Sequence, residues 1–141
     1  MRLEDQNAVI YGGGGSIGGT VARAFAREGA RAFLAYRTLE RLEEVAVGAG
    51  ATGGSAEVAV VDALDGRAAK EHADAVAERA GGIDVSFNLI SYGDVQGTPL
   101  AKMAPEDFEL PVATAMFKRG LRRWRTWETW PPSSPRTWRA P

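Results

Sequence analysis

The chain has 141 residues, enough for one domain at the usual allowance of about 100–200 residues each, and its 45% hydrophobic and 25% charged residues match a folded globular chain, not a disordered one. The absence of cysteine excludes a disulfide framework, a thiolate metal site and a cysteine nucleophile, and the single histidine, His72, excludes multi-histidine zinc sites and any Ser-His-Asp triad built without it. The net charge is −1, no apolar run approaches the roughly 18 residues of a membrane span, and the opening MRLEDQ is too acidic for a signal peptide, so a cytoplasmic protein without a membrane partner is expected.

In chain order, NAVIY (7–11) is a short buried-strand candidate followed by a glycine cluster. From Ser16 to Glu28, Ile17, Val21 and Phe25 recur at helical spacing, and Gly29 stops the helix. RAFLAY (31–36) reads as a second strand, and TLERLEEVAV (38–47) as a helix with Leu39, Leu42 and Val45 or Ala46 on one side. Gly48, Gly50, Gly53 and Gly54 are expected to break the chain before a third strand, AEVAVVD (56–62). A helix over 65–82 ends in two glycines, and IDVSFNLI (83–90) is a fourth strand. Pro105 opens a last helix that Pro111 would kink or end after one or two turns. Apolar strands alternating with helices imply an α/β fold with a parallel sheet covered on both faces. Right-handed crossovers favour the order 3-2-1-4, a partial Rossmann sheet with its later strands missing.

Residues 117–141 differ in kind. They hold seven Lys/Arg against one Asp/Glu, where residues 1–116 hold ten against seventeen, and they contain all four tryptophans and four of the seven prolines. This divides the chain into a domain over 1–116 and a basic Trp/Pro-rich tail over 117–141. Basic residues interleaved with tryptophan suit single-stranded nucleic acid, but four prolines in the last eleven residues preclude a regular element, and nucleic-acid binding is the minor reading.

The segment YGGGGSIGG (11–19) lies where a strand ends and a helix begins. Gly12 permits a tight turn, Gly13–Gly15 let backbone approach a ligand, and Gly18 lets the helix pack close to the strand, while the helix N-terminus offers free N–H groups to a pyrophosphate. At the end of the second strand an acid would bind a ribose 2′-hydroxyl and favour NAD. Here Tyr36 stands in its place, followed by Arg37, which favours a 2′-phosphate, and by Thr38 as a further hydrogen-bonding candidate. NADP is the expected cofactor, and NAD the less favoured one.

YGGGGSIG resembles the TGxxxGIG loop of the short-chain dehydrogenases/reductases, with Tyr11 for the Thr and Ser16 for the second Gly. VDALD (61–65) resembles the family's Asp-containing segment after the third strand, and FNLIS (87–91) a degraded NNAG that keeps Asn88 but carries Leu89, Ile90 and Ser91. The resemblance covers residues 1–116. It implies cofactor-binding roles for Gly12, Gly14, Gly15, Ser16, Ile17 and Gly18, for Tyr36, Arg37 and Thr38, for Asp62 (beside the adenine) and Ala63, and for Asn88 and Ile90. It further implies hydride transfer between the nicotinamide and a carbonyl or alcohol substrate, with a Tyr as acid–base, a Lys four residues on, a Ser and an Asn.

The catalytic part of that pattern is missing. Four residues after Tyr11, Tyr36 and Tyr92 stand Gly15, Glu40 and Gln96, so no Tyr-x-x-x-Lys exists, and EDFELPVATA resembles the family's EDFDRVLDVN with Ala115 at the Asn position. Ser91 and Tyr92 read as turn-formers, and His72, between Glu71 and Asp74, as part of a solvated helix face. The chain is therefore expected to be an inactive cofactor-binding fragment, with a non-catalytic dinucleotide-binding or regulatory module as the alternative. The tail has its own explanation. Tryptophan has a single codon, and read one frame over residues 121–141 can give AAVEDVGDVAAFLASDLAGA, which resembles the family's C-terminal helix region. This implies a frameshift and loss of the catalytic segment. Without later strands, strand four would be an open apolar edge available for self-association.

Overall fold

The computed structural model describes residues 1–91, 93 and 95–114. Readings that fall on the tail, on its boundary at 116, and on Tyr92 and Ala115 lie outside the described residues.

Four strands alternate with helices: β1 (Asn7–Tyr11), α1 (Ser16–Arg27), β2 (Arg31–Tyr36), α2 (Leu39–Gly50), β3 (Ser55–Val60), α3 (Gly66–Ala80) and β4 (Val85–Asn88), then a 3-10 turn (Leu100–Lys102) and α4 (Pro105–Ala113). All strand pairs are parallel and the order is β3-β2-β1-β4, the expected α/β arrangement. The reversal of strand order lies at β1, whose C-terminal end carries the glycine loop.

Alternation along the strands sorts two cores. Ile10, Ala32 and Leu34 face α1 and α2, packing with Ala22, Leu42 and Val45. Val9, Tyr11, Phe33 and Ala35 face the other way, onto Ala69 and Val76 of α3 and onto Val61 and Ala63. The buried side of α1 is Gly18, Gly19, Ala22 and Ala26, whereas Ile17 is 65% exposed. Of the expected Ile17–Val21–Phe25 stripe, Val21 and Phe25 are half-buried against the core and only Ile17 points away from it; the fully buried positions beside them are small residues, which let α1 approach its neighbours closely. A Cβ on Gly19 would lie 2.9 Å from Val45 Cγ2 of α2.

Several boundaries depart from expectation. Helix α2 runs through Gly48 to Gly50 instead of ending at 47; Gly48 faces the Arg23 side chain of α1, where a Cβ would stand 3.3 Å from Cδ, and the chain turns only at 51–54. Strand β4 is shorter than 83–90. Before it, Asp84 is tied to the start of β1 by a reciprocal pair of bonds, its N–H donating to Asn7 O and its carboxylate accepting Asn7 N–H at 2.8 Å; after it, Asn88 Oδ1 accepts from Ile90 N–H. Helix α3 matches its signals, capped by the Asp65 carboxylate at Arg67 and Ala68 N–H and ended by Gly81 at φ +83°. Pro111 lies inside α4 without ending it: it lacks the N–H that would bond to the preceding turn and crowds that turn's carbonyl, but on this largely exposed helix water can satisfy the freed carbonyl.

Strand β4 pairs with β1 on one side only among the described residues. Its Ser86 and Phe87 are exposed, and Phe87 meets Phe25 of α1 at a ring distance of 6.2 Å and 70°. No helix of the described residues is long and apolar enough to cross a membrane.

Candidate functional site

Strand β1 delivers the chain to the C-terminal edge of the sheet, where Gly12 takes φ +88°, a conformation open to glycine. Gly12 and Gly13 N–H both donate to Ala35 O, at 2.9 and 3.1 Å, which clamps the loop onto the end of β2, and Gly15 N–H donates to Gly12 O at 3.0 Å. A Cβ on Gly18 would fall 2.2 Å from Gly12 O. The close approach that Gly18 allows is therefore to the loop's own backbone, not to the strand as expected.

Gly15 is the N-cap of α1 and has no side chain to cap it, and the first bond along the helix is Gly19 N–H to Gly15 O at 2.8 Å. The N–H groups of Ser16, Ile17 and Gly18 thus precede the intrahelical ladder, with no acidic residue in the first turn. Orphan donors and the positive end of the helix suit an anionic group.

In front of the loop lies a cleft of about 190 Å³. Its walls are Gly12 and Gly15 of the loop, Ala35 to Arg37 at the end of β2, Val61 to Leu64 after β3, and Leu89 to Ser91 after β4. Of the residues chosen from sequence, Gly12, Gly15, Tyr36, Arg37, Asp62, Ala63 and Ile90 line it together. The others sit close behind. Gly14 faces the Tyr36 ring, where a Cβ would lie 2.5 Å from Cδ1, and Thr38 precedes α2 as its N-cap without a side-chain cap bond. Ser16, Ile17 and Gly18 open α1, and Asn88 ends β4 with its Oδ1 accepting from Ile90 N–H at 3.2 Å. Ala35, Val61, Leu64, Leu89 and Ser91 complete the walls but are not among the residues expected from sequence. Each adjoins a chosen one at a strand's C-terminal end, and the rule that ligands bind outside those ends, where the order reverses, is the signal that would have found them.

The polar side chains differ in freedom. Asp62 is committed to its turn: its Oδ1 accepts Leu64 N–H at 2.9 Å and its carbonyl accepts Asp65 N–H at 3.0 Å. Arg37 is exposed and makes no ion pair among the described residues, while the neighbouring Arg41 reaches Glu44 at 3.9 Å. His72 corrects the expectation of a solvated helix face. It is half-buried against Tyr11, and burial first, then the Arg79 charge, lowers its pKa. No group of three His, Cys, Asp or Glu able to hold a metal occurs among the described residues.

The family model described as enoyl-(acyl carrier protein) reductase matches residues 13–117. An uncharacterized oxidoreductase of Bacillus subtilis, YxbG, is 37% identical over 87 residues, which are 62% of this chain and 32% of that protein. Among solved structures, a metagenomic short-chain oxidoreductase in complex with NADP is similar at 33% identity and TM-score 0.69, over 80% of this chain and 51% of that one. An NAD⁺-bound xylitol dehydrogenase is similar at 25% identity and TM-score 0.76, over 92% and 50%. The chain spans between a third and a half of the curated relatives it matches and about half of these solved structures.

Proposed function

Because the chain belongs to the short-chain dehydrogenase/reductase family, we propose that it is the dinucleotide-binding part of an NAD(P)-dependent oxidoreductase, with NADP preferred over NAD. The observation that carries this is the glycine cradle. A side chain at Gly12 or Gly18 would collide with backbone, at 2.7 Å from Leu89 O and 2.2 Å from Gly12 O, so the loop keeps its surface bare at the start of α1. The Ser16, Ile17 and Gly18 N–H groups would hold the diphosphate, with Gly14 and Gly15 leaving room for it. Asp62 and Ala63 would border the adenine, Tyr36, Arg37 and Thr38 its ribose, and Asn88 and Ile90 the far end. The NADP preference rests on Arg37, an exposed guanidinium on the cleft without an ion-pair partner among the described residues.

When bound, the nicotinamide supplies hydride chemistry. The chain's own residues bind and orient it, and no Tyr-x-x-x-Lys stands in the sequence to move the substrate proton. That absence favours a module that binds without turning over, whether a fragment or a regulatory unit. The open side of β4 makes self-association a further expectation. The test is paired: NADP should raise the melting temperature, while ketone reduction and alcohol oxidation with either nicotinamide stay at background. Turnover by a purified sample would contradict the second part, since a positioned acid–base typically contributes about 10²–10⁴-fold.

A further inference from the structure

We infer that the outer face of α4 is the docking surface for this chain's own basic tail, seated through the segment 122–127. The inference uses no residue of the cleft and is independent of the dinucleotide reading. Helix α4 turns its apolar side outward. Asp107 and Pro111, both half-buried, and the 2% exposed Thr114 that caps the helix recur at i, i+4 and i+7 and mark its inward line. On the outer side stand Glu106 and Glu109, with Phe108 and Val112 beside them at 56% and 52% exposure. A surface helix ordinarily turns such large apolar side chains to the core. The charges are also one-sided. Helix α3 answers acids within itself, through the Arg67–Glu71 and Lys70–Asp74 pairs, whereas α4, PEDFELPVA, carries three acids and no cation.

The tail has the complementary chemistry. Residues 117–141 hold seven Lys/Arg against one Asp/Glu, while residues 1–116 hold ten against seventeen. Within the segment 122–127, RRWRTW, three arginines alternate with two tryptophans. Indole rings suit the exposed Phe108 and Val112, and guanidinium forks suit the Glu106 and Glu109 carboxylates. Reach is sufficient. The steps from Thr114 to Arg122 span up to about 26 Å when extended, whereas the helix rises only about 13 Å over its length, so the segment can double back along it. Tethering also presents the tail to α4 at an effective concentration on the order of mM, which a second copy or a nucleic acid must overcome. The acidic excess of residues 1–116 further opposes the approach of a polyphosphate.

All four tryptophans lie in the tail, so tryptophan emission of the full chain reports on the tail alone. Compared with a free peptide of residues 117–141, the full chain should emit further to the blue and resist acrylamide quenching, equally at every protein concentration. Glu106→Gln with Glu109→Gln should move both readings toward those of the peptide. Arg122→Gln with Arg125→Gln, which leaves α4 intact, should give the same loss. Glu40→Gln with Glu43→Gln removes the same charge from the exposed side of α2 and should change neither reading. The inference is overturned by emission equal to the peptide's, or by an equal response to the α2 and α4 pairs. It is also overturned by a shift that grows with protein concentration, which would make a second copy the occupant, or by one obtained only on adding a single-stranded oligonucleotide.

Discussion

Tyr11 and His72 meet edge to face, with ring centroids 5.7 Å apart and planes at 76°, one residue before the glycine loop begins. The Tyr11 hydroxyl donates to Ala69 O at 3.1 Å and lies 3.4 Å from His72 Nδ1. The pair joins the end of β1 to the buried side of α3, so the position of the loop depends on helix packing on the far face of the sheet.

That contact gives stability a pH dependence. His72 has a pKa lowered from 6.5 by burial and by Arg79, so in acid the unfolded chain takes up a proton more readily than the folded one. The His72 contribution is therefore fully present above pH 6.5 and is lost as the pH falls from there towards the lowered folded value. Urea midpoints measured between pH 5 and 8 (an experimental range of about three units) should decline on the acid side, and His72→Gln should flatten that decline. A wild-type midpoint that rises on acidification through this window would contradict the assignment.

A second prediction concerns Gly14 and Tyr36. Gly14→Ala would place a methyl 2.5 Å from Tyr36 Cδ1 and 2.8 Å from Cγ, forcing the ring away beside Arg37. NADP affinity should fall about tenfold, near 1.4 kcal/mol. In a Tyr36→Ala background the same change should cost little, because the opposing ring is gone. Additive losses in the double mutant would show that the two positions do not act through this contact.

Gly18→Ala should act on the fold instead. Its methyl would meet the Gly12 carbonyl, which is backbone and cannot rotate away, at 2.2 Å. Overpacking of this kind costs about 1–3 kcal/mol, and a denaturant midpoint equal to wild type would refute the close seating of α1 on the loop.

The open side of β4 yields a fourth prediction. Phe87 is 37% exposed on an edge whose outer side has no strand among the described residues. Light scattering should show association that rises with protein concentration, and Phe87→Lys should reduce it, since a lysine on an edge strand opposes pairing. A monomer at all concentrations, unaffected by the substitution, would count against an exposed pairing edge.

Much of this architecture is legible in the residues. The four apolar runs give the strands, crossover handedness gives their order, and the glycine cluster between strand and helix locates the loop. Where sequence reading goes astray, a different residue carries the packing than the one its hydrophobicity suggests. In α1 the contact face is Gly18, Ala22 and Ala26, too small to register as a stripe, while Ile17 points outward. His72 looks solvated beside Glu71 and Asp74, yet it stands three residues after Ala69 and four before Val76, the two buried residues of α3, and that spacing places it on their side. Gly48 reads as a breaker but occupies a helix position facing Arg23. The cleft is partly legible: Arg37 follows from its chemistry and Asp62 from the resemblance of its segment to the family's, whereas Leu89 and Val61 join it only because parallel strands end together.

The central claim is tested most directly by calorimetric titration of wild type and Arg37→Asp with NADP and NAD. Wild type should bind NADP more tightly, and Arg37→Asp, which replaces a 2′-phosphate partner by an acceptor for a 2′-hydroxyl, should reverse the order by about tenfold or more. Equal affinities in wild type, or a preference unchanged by the substitution, would contradict it.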